Sequence, residues 1–312
     1  MKQRNRTASH PRGSAWRQRL ANAGLCLALF AHPATAQKRL QLSVEAGYTT
    51  SSSFNWSIAG NIYGQSPNVY SELKWKGLKG PSTGVSGWWN AWKGLGLEGA
   101  YSRTFINSGS VSDIDYQENN REDPSYHGYF NSNQGSETAW LAGVGYQLLD
   151  KSRINLRLVA GYAGSRQSLY LLDDDPSLGG ILHSSYQTKW NGPAAKIKIG
   201  FKITKGLWLE SDATYCQVNY HSKADWNLIQ TFRQPDSYND RAKGYGLDLS
   251  GRLNYRLTRV VGLGAGIRYG QWKTGTGIDD LYLAAGGMEE TRMNGVLYNV
   301  LGYLVNVEIY FR

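Results

Sequence analysis

Strict alternation of apolar and polar side chains limits the fold of this chain more than any other feature. In residues 195–203, apolar side chains at the odd positions alternate with Lys, Lys, Gly and Lys. Residues 245–257 repeat the pattern against Asp, Ser, Arg and Asn, and residues 154–162 and 303–311 repeat it more weakly. A period of two residues predicts β-strands. Because a charged side chain at every second position does not fit the core of a β-sandwich, the pattern predicts a barrel with a polar interior and lipid outside.

The connections between the predicted strands alternate between short turns and long polar segments. The short turns are expected at 93–96, 149–153, 204–206 and 257–260. The long segments are expected at 52–68, 108–136, 171–186, 222–241 and 274–294. Short turns on the periplasmic side and long loops on the outside are typical of outer-membrane barrels.

Four short turns and five long segments join ten strands. We therefore predict an all-β fold, a ten-stranded transmembrane antiparallel β-barrel with long extracellular loops and short periplasmic turns. The strands are expected at 40–51, 69–92, 95–107, 137–149, 153–170, 187–203, 207–221, 242–257, 260–273 and 295–311.

The first 36 residues have the composition of a secretory signal peptide. Six basic residues and no acid precede a twelve-residue apolar run at 20–31, and Ala34-Thr35-Ala36 follows as a small-residue cleavage site. The apolar run is shorter than the roughly 20 residues that a membrane-spanning helix needs. We predict a signal peptide at 1–36 and one outer-membrane barrel domain at 37–312.

Removal of the signal peptide changes the net charge and the cysteine count, which bear on nucleic-acid binding, disulfides and zinc sites. Six of the ten net positive charges lie in residues 1–36, so the remaining chain has a net charge of +4 and gives little reason to expect nucleic acid. Cys216 is then the single cysteine, which excludes an internal disulfide. With only His127, His183 and His221 beside it, no zinc site of the Cys/His kind is expected.

Carboxylates at the bases of the predicted loops are the candidates for chemistry. Asp113 and Asp115 follow the third strand, and Asp225 follows the seventh, with His221 nearby. Residues i and i+2 of an extended segment point to the same side, so Asp113 and Asp115 can share one site and one proton. The plainer interpretation is that these acids are solvated turn residues.

Four segments match a known family of barrels; they are Ser71–Lys76, Ser110–Tyr116, Leu158–Arg166, and Tyr186–Trp190 with Pro193. In these segments the chain resembles the omptins, ten-stranded outer-membrane proteases of Gram-negative bacteria. The resemblance runs over most of the chain after residue 36 and weakens after about residue 230. It implies location in the outer membrane of a Gram-negative bacterium, insertion by the barrel assembly machinery, and aspartic-type cleavage of a peptide or protein substrate at the outer rim without a metal or cofactor.

The resemblance also implies a set of catalytic residues. In omptins an aspartate pair faces an Asp-x-His pair across a groove, and the Asp–His pair activates the attacking water; Asp113 and Asp115 match the aspartate pair. Counting without gaps puts Asp225 on the second aspartate and Asn227 on the histidine, whereas a gapped count puts His221 on the histidine and Asn219 on the aspartate. An amide in place of a general base would lower the rate by roughly 10²–10⁴-fold, unless His221 reaches Asp225 in space.

A lipid site is the second implication of the resemblance. Omptins bind lipopolysaccharide on the outer wall through tyrosine and basic residues, and Tyr162, Arg166 and Lys189 match these positions. Arginine can bind a lipid phosphate through two hydrogen bonds, and lipopolysaccharide would then be an activating lipid in the outer membrane. The alternative is that the two basic side chains only extend toward the headgroups.

Three functions therefore stay open at this point. The first is an omptin-like endopeptidase of altered specificity, because Lys223 falls on an acidic specificity position of the family and no acid lies between Glu45 and Glu72. The second is a catalytically inactive barrel that acts as an adhesin or surface structural protein. The third and weakest is a lipid-modifying barrel or a small channel.

Overall fold

Antiparallel strands account for most of the residues that the computed structural model describes, 40–173 and 181–311. The predicted signal peptide lies outside the described residues. One 3₁₀ turn, Asn119–Arg121, interrupts the strands. No helix in the described ranges is long and apolar enough to cross a membrane. The strands are β1 (Leu40–Ile58), β2 (Ser71–Trp92), β3 (Leu95–Phe105), β4 (Ser108–Tyr116), β5 (Pro124–Asn131), β6 (Ser136–Asp150), β7 (Ile154–Leu172), β8 (His183–Lys202), β9 (Leu207–Asp225), β10 (Tyr238–Arg256), β11 (Val261–Tyr282) and β12 (Met288–Phe311).

The sheet closes on itself, because β1 pairs with both β2 and β12. Ten strands form the wall of the barrel in sequence order, and the remaining two, β4 and β5, form a hairpin above β3 and β6. β4 pairs with the upper half of β2, and β5 meets β7 at Asn131 and Leu172. The predicted antiparallel barrel is confirmed, with twelve strand segments because the segment predicted as a loop at 108–136 contains β4 and β5.

Other predicted loops are also shorter than expected. β1 continues to Ile58, β9 continues to Asp225, and β10 already begins at Tyr238. The segment predicted as a loop at 274–294 contains the ends of two long strands, and only residues 283–287 connect β11 with β12. Above the membrane both faces of the wall meet water, so alternation of apolar and polar residues no longer marks a strand there.

The outward-facing side chains form an apolar belt between two aromatic girdles. In β8, Ile197 and Phe201 are exposed on the outside, whereas Lys196 and Lys198 point into the lumen. This separation and the girdles are the arrangement expected of an outer-membrane barrel. The upper girdle contains Tyr48, Tyr101, Tyr162, Tyr215, Tyr245, Tyr269 and Tyr303, and the lower girdle contains Trp89, Trp92, Phe201, Tyr255 and Phe311.

Side chains fill the lumen in two layers. In the lower layer Arg252 binds Glu45 at 2.6 Å and Asp212 at 2.5 Å, and Lys196 binds Glu98 at 2.7 Å. A layer of buried aromatic side chains lies above these ion pairs and forms the floor of the extracellular part. A lumen occupied in this way argues against a small channel. The aromatic layer contains Phe54, Trp75, Tyr186, Trp190, Tyr220, Trp272 and Tyr298.

Candidate functional site

A cleft of about 860 Å³ opens above the aromatic layer, between the upper ends of the strands and the loop after β9. Its volume is in the range of sites that bind ligands. Four carboxylates, Asp113, Asp115, Asp279 and Glu289, are the charged side chains among the described residues that line it, and neither a basic residue nor a histidine is among these. The rest of the lining is mainly apolar, and its largest side chains are Trp56, Tyr126, Tyr186, Trp226, Phe232 and Tyr238.

One wall of the cleft carries the aspartate pair on β4. Asp113 lies opposite Leu73 of β2, and Asp115 lies opposite Ser71, whose side chain hydrogen-bonds Asp115. Because Leu73 faces the interior of the barrel, strand alternation turns both aspartates into the cleft. Burial, with a smaller contribution from Asp115, raises the pKa of Asp113 to about 7. The structure therefore brings this pair together on one side, and Asp113 changes its protonation near neutral pH.

The opposite wall does not present the second pair that the resemblance implied. β9 turns Ser222 and Ala224 toward the interior, whereas Asn219 and His221 are exposed on the outer wall. The cross-strand neighbours of His221 are Lys189 of β8 and Arg241 of β10, and all three side chains lie on the outer face of the wall. The assignment of His221 as a base in the groove is wrong, because strand alternation places its side chain on the far side of the wall.

Asp225 and Asn227 do not form a water-activating pair either. The Asn227 side chain accepts hydrogen bonds from the His183 amide at 3.0 Å and the Ser184 hydroxyl at 3.1 Å, which fixes the start of β8. Burial is the main cause that raises the pKa of Asp225, and the histidine close enough to act on that pKa is His183 rather than His221. Four residues along an extended strand span about 13 Å, so Asp225 and His221 are too far apart for a hydrogen bond. No cluster of three or more His, Cys, Asp or Glu in the described ranges could hold a metal ion.

A second carboxyl pair lies on this wall, and sequence reasoning missed it. Asp240 of β10 and Asp279 of β11 lie directly opposite each other in register, with 2% and 1% of their surfaces exposed. Asp240 Oδ2 accepts hydrogen bonds from Trp56 Nε1 at 3.0 Å, from Tyr186 at 2.5 Å and from Ser222. Both aspartates fall in segments predicted as loops, and a loop has no strand register that would pair them.

A row of basic side chains crosses the outer wall above the upper girdle. Arg166, Lys189, His221 and Arg241 are consecutive cross-strand neighbours on β7, β8, β9 and β10, and they border a groove of about 460 Å³. Tyr162 lies four residues below Arg166, about 13 Å lower along the strand, in the aromatic girdle. The three residues predicted to contact lipid therefore share one outer face.

The sequence of the chain matches the family model of the Protochlamydia outer membrane proteins (Pom) over residues 43–311. The chain belongs to this family. Pom membership and the barrel fold together place the protein in the outer membrane of a Gram-negative bacterium. No curated protein sequence matches the chain significantly.

Solved structures of other outer-membrane barrels are similar to this Pom protein. The outer membrane protease OmpT from Escherichia coli matches with a TM-score of 0.72 and 12% identity, over 90% of this chain and 100% of that chain. OprG from Pseudomonas aeruginosa matches with a TM-score of 0.38 and 9% identity, over 86% of this chain and 97% of that chain. The NalP translocator domain from Neisseria meningitidis also matches with a TM-score of 0.38, at 11% identity over 95% of this chain and 96% of that chain. The resemblance to omptins thus holds for the fold, whereas membership in the omptin family is not shown.

Proposed function

We propose that this Pom family barrel binds an extended polypeptide in its extracellular cleft, as an adhesin or surface receptor. The composition of the cleft supports this proposal, because its walls are apolar and its charged lining residues are all acidic. Aromatic walls accept apolar side chains, and the carboxylates Asp113, Asp115, Asp279 and Glu289 favour basic ones. The ligand expected from this chemistry is a segment in which basic and apolar residues alternate.

Cleavage of the bound segment is a second candidate. Hydrolysis by an Asp/His-activated water lacks support, because a general base has to lie within about 2.6–3.2 Å of the water and His221 lies on the outer wall. One observation favours slow hydrolysis by the carboxylates alone. With a pKa of about 7, Asp113 can accept or donate a proton at neutral pH, next to Asp115.

Binding is tested with barrel refolded in detergent micelles and two labelled ten-residue peptides, one alternating Arg with Leu and one alternating Glu with Leu. The basic peptide should bind and the acidic peptide should not. At pH 9, where Asp113 is ionised, Asp113→Asn should weaken binding of the basic peptide about threefold to tenfold, since it removes one attractive charge in a partly hydrated cleft. Lys223→Ala on the outer wall serves as the control. Equal affinity for both peptides contradicts the proposal.

Cleavage is tested separately, by mass spectrometry of the basic peptide with lipopolysaccharide present. If the carboxylates catalyse hydrolysis, the natural protein should cleave the peptide and the Asp113→Ala variant should not. Background turnover in both proteins eliminates the endopeptidase and leaves the binding proposal intact.

We also propose lipopolysaccharide as a lipid partner of the outer wall. Neighbouring cationic side chains above an aromatic girdle are suited to lipid phosphates, and Arg166 and Lys189 are cross-strand neighbours there. The double variant Arg166→Ala, Lys189→Ala should bind lipopolysaccharide more weakly than the natural protein, whereas Lys76→Ala, an exposed lysine of β2, should not change binding. Unchanged affinity in the double variant contradicts the assignment. Insertion by the barrel assembly machinery is proposed on the ground of the fold alone.

A further inference from the structure

The wall of the cleft opposite Asp113 contains two adjacent carboxyl groups that have no positively charged partner among the described residues. Asp240 and Asp279 lie opposite each other on paired strands, so that one carboxyl can donate a hydrogen bond to the other when the pair holds a proton. Neither takes part in an ion pair with any described residue. The Oδ1 atom of each is buried and has no donor among the described side chains and backbone groups.

The groups that surround the pair are neutral or acidic. Asp240 has more hydrogen-bond donors than Asp279, since Trp56, Tyr186 and Ser222 all donate hydrogen bonds to its Oδ2 atom. Among the described residues, Thr291 of β12 is the one neighbour whose hydroxyl donates to Asp279, at 3.2 Å. The neighbours inside the barrel are Tyr220 of β9, Tyr238 of β10 and Thr291 of β12, and the charge of Asp280 acts on Asp279 from the outer face of β11.

Two ionised carboxylates in contact cannot both stay buried without a counter-charge. The three donors at Asp240 stabilise its ionised form, so the proton resides mainly on Asp279. Burial and then the charge of Asp240 raise the pKa of Asp279 well above its usual range. The two carboxyl groups lie above the apolar belt and titrate as a unit that holds one proton.

We propose that Asp240 and Asp279 share one proton in this wall before a polypeptide binds, and that a guanidinium group of the bound polypeptide displaces it. A guanidinium would approach the pair from the side of Asp279, because Asp279 borders the cleft and Asp240 does not. The proton leaves for the solvent, and the guanidinium becomes the counter-charge of the two carboxylates. The exchange of a proton for a guanidinium rests on the proposed binding of a polypeptide, whereas the shared proton exists in the protein without a ligand.

Displacement of one proton makes binding pH-dependent. Affinity then rises about tenfold per pH unit as long as the pair still holds its proton. The probe is the Arg-Leu peptide, whose guanidinium groups stay charged throughout. Its affinity is measured between pH 8 and pH 9, where Asp113, with a pKa of about 7, is already ionised. Binding by the natural protein should tighten with a slope approaching tenfold, and binding by Asp279→Asn should be independent of pH.

Asp280→Asn is the matched control, because Asp280 is the next residue of β11 and faces the outer wall, where it pairs with Arg241. It should keep the full slope. A flat response of the natural protein, or a slope that survives in Asp279→Asn, overturns the proposal.

Failure of the probe to bind at any pH would instead refute the proposed function. The shared proton can then be tested in the protein without a peptide. Trp56 donates a hydrogen bond to Asp240, so its fluorescence reports the charge of the pair. Between pH 6 and pH 10 the Trp56 signal, taken as the difference from Trp56→Phe, should change in the natural protein and not in Asp279→Asn. Identical profiles overturn the shared proton.

Discussion

Asp113→Asn should stabilise the barrel at alkaline pH and leave it nearly unchanged at acidic pH. Burial and the neighbouring Asp115 raise the pKa of Asp113 from its ordinary value of 3.8 to about 7. The folded protein therefore holds this proton more tightly than the unfolded chain does. The stabilisation that results is complete below pH 3.8 and is lost as the pH rises through 7.

The magnitude follows from the size of the pKa difference. A rise from 3.8 to 7 corresponds to about 4 kcal/mol between the two protonation states. Because the carboxyl is partly exposed, solvent screening reduces the expected effect to about 2 kcal/mol. An asparagine carries no charge at any pH, so the variant does not lose this free energy at alkaline pH.

The assay is denaturant unfolding of the refolded barrel in micelles, followed by tryptophan fluorescence at pH 4 and pH 9. The variant should be more stable than the natural protein by about 2 kcal/mol at pH 9 and by less than about 0.5 kcal/mol at pH 4. Asp123→Asn, an exposed aspartate between β4 and β5, should show no such difference. A stability difference that is the same at both pH values would refute a raised pKa at Asp113.

Three further variants test the lumen, the wall and the outer face. Arg252→Met should lower the free energy of unfolding by about 3–5 kcal/mol in denaturant, because Asp212 loses a buried cationic partner at 2.5 Å. A loss below about 1 kcal/mol would contradict this. Gly192→Ala should impair refolding, because a Cβ there would lie 1.8 Å from the Gln217 carbonyl oxygen. Refolding is measured from the different mobility of folded and unfolded protein in gel electrophoresis, and normal refolding would show that the strands can separate. His221→Ala should leave any peptide cleavage unchanged, and a measurable loss would place the imidazole in the groove.

Within the membrane, the sequence determined most of the wall. At 195–203 the lipid on one side and the polar lumen on the other impose opposite demands on neighbouring residues, so Ile197 and Lys196 were correctly assigned to opposite faces. The same period of two placed Asp113 and Asp115 on one side of an extended segment. These are local properties, because alternation along one strand does not depend on the identity of the neighbouring strand.

Above the membrane, the tertiary structure decided the site. Lipid no longer distinguishes the two faces there, so the alternation that locates strands lower down carries no signal, and the hairpin of β4 and β5 was predicted as a loop. The direction of His221 depends on the register between β9 and its neighbours, and the contact of Asp240 with Asp279 depends on the register of β10 with β11. Register is set by pairing between residues distant in the chain, and the free energy that fixes it comes from packing across strands rather than from any local pattern.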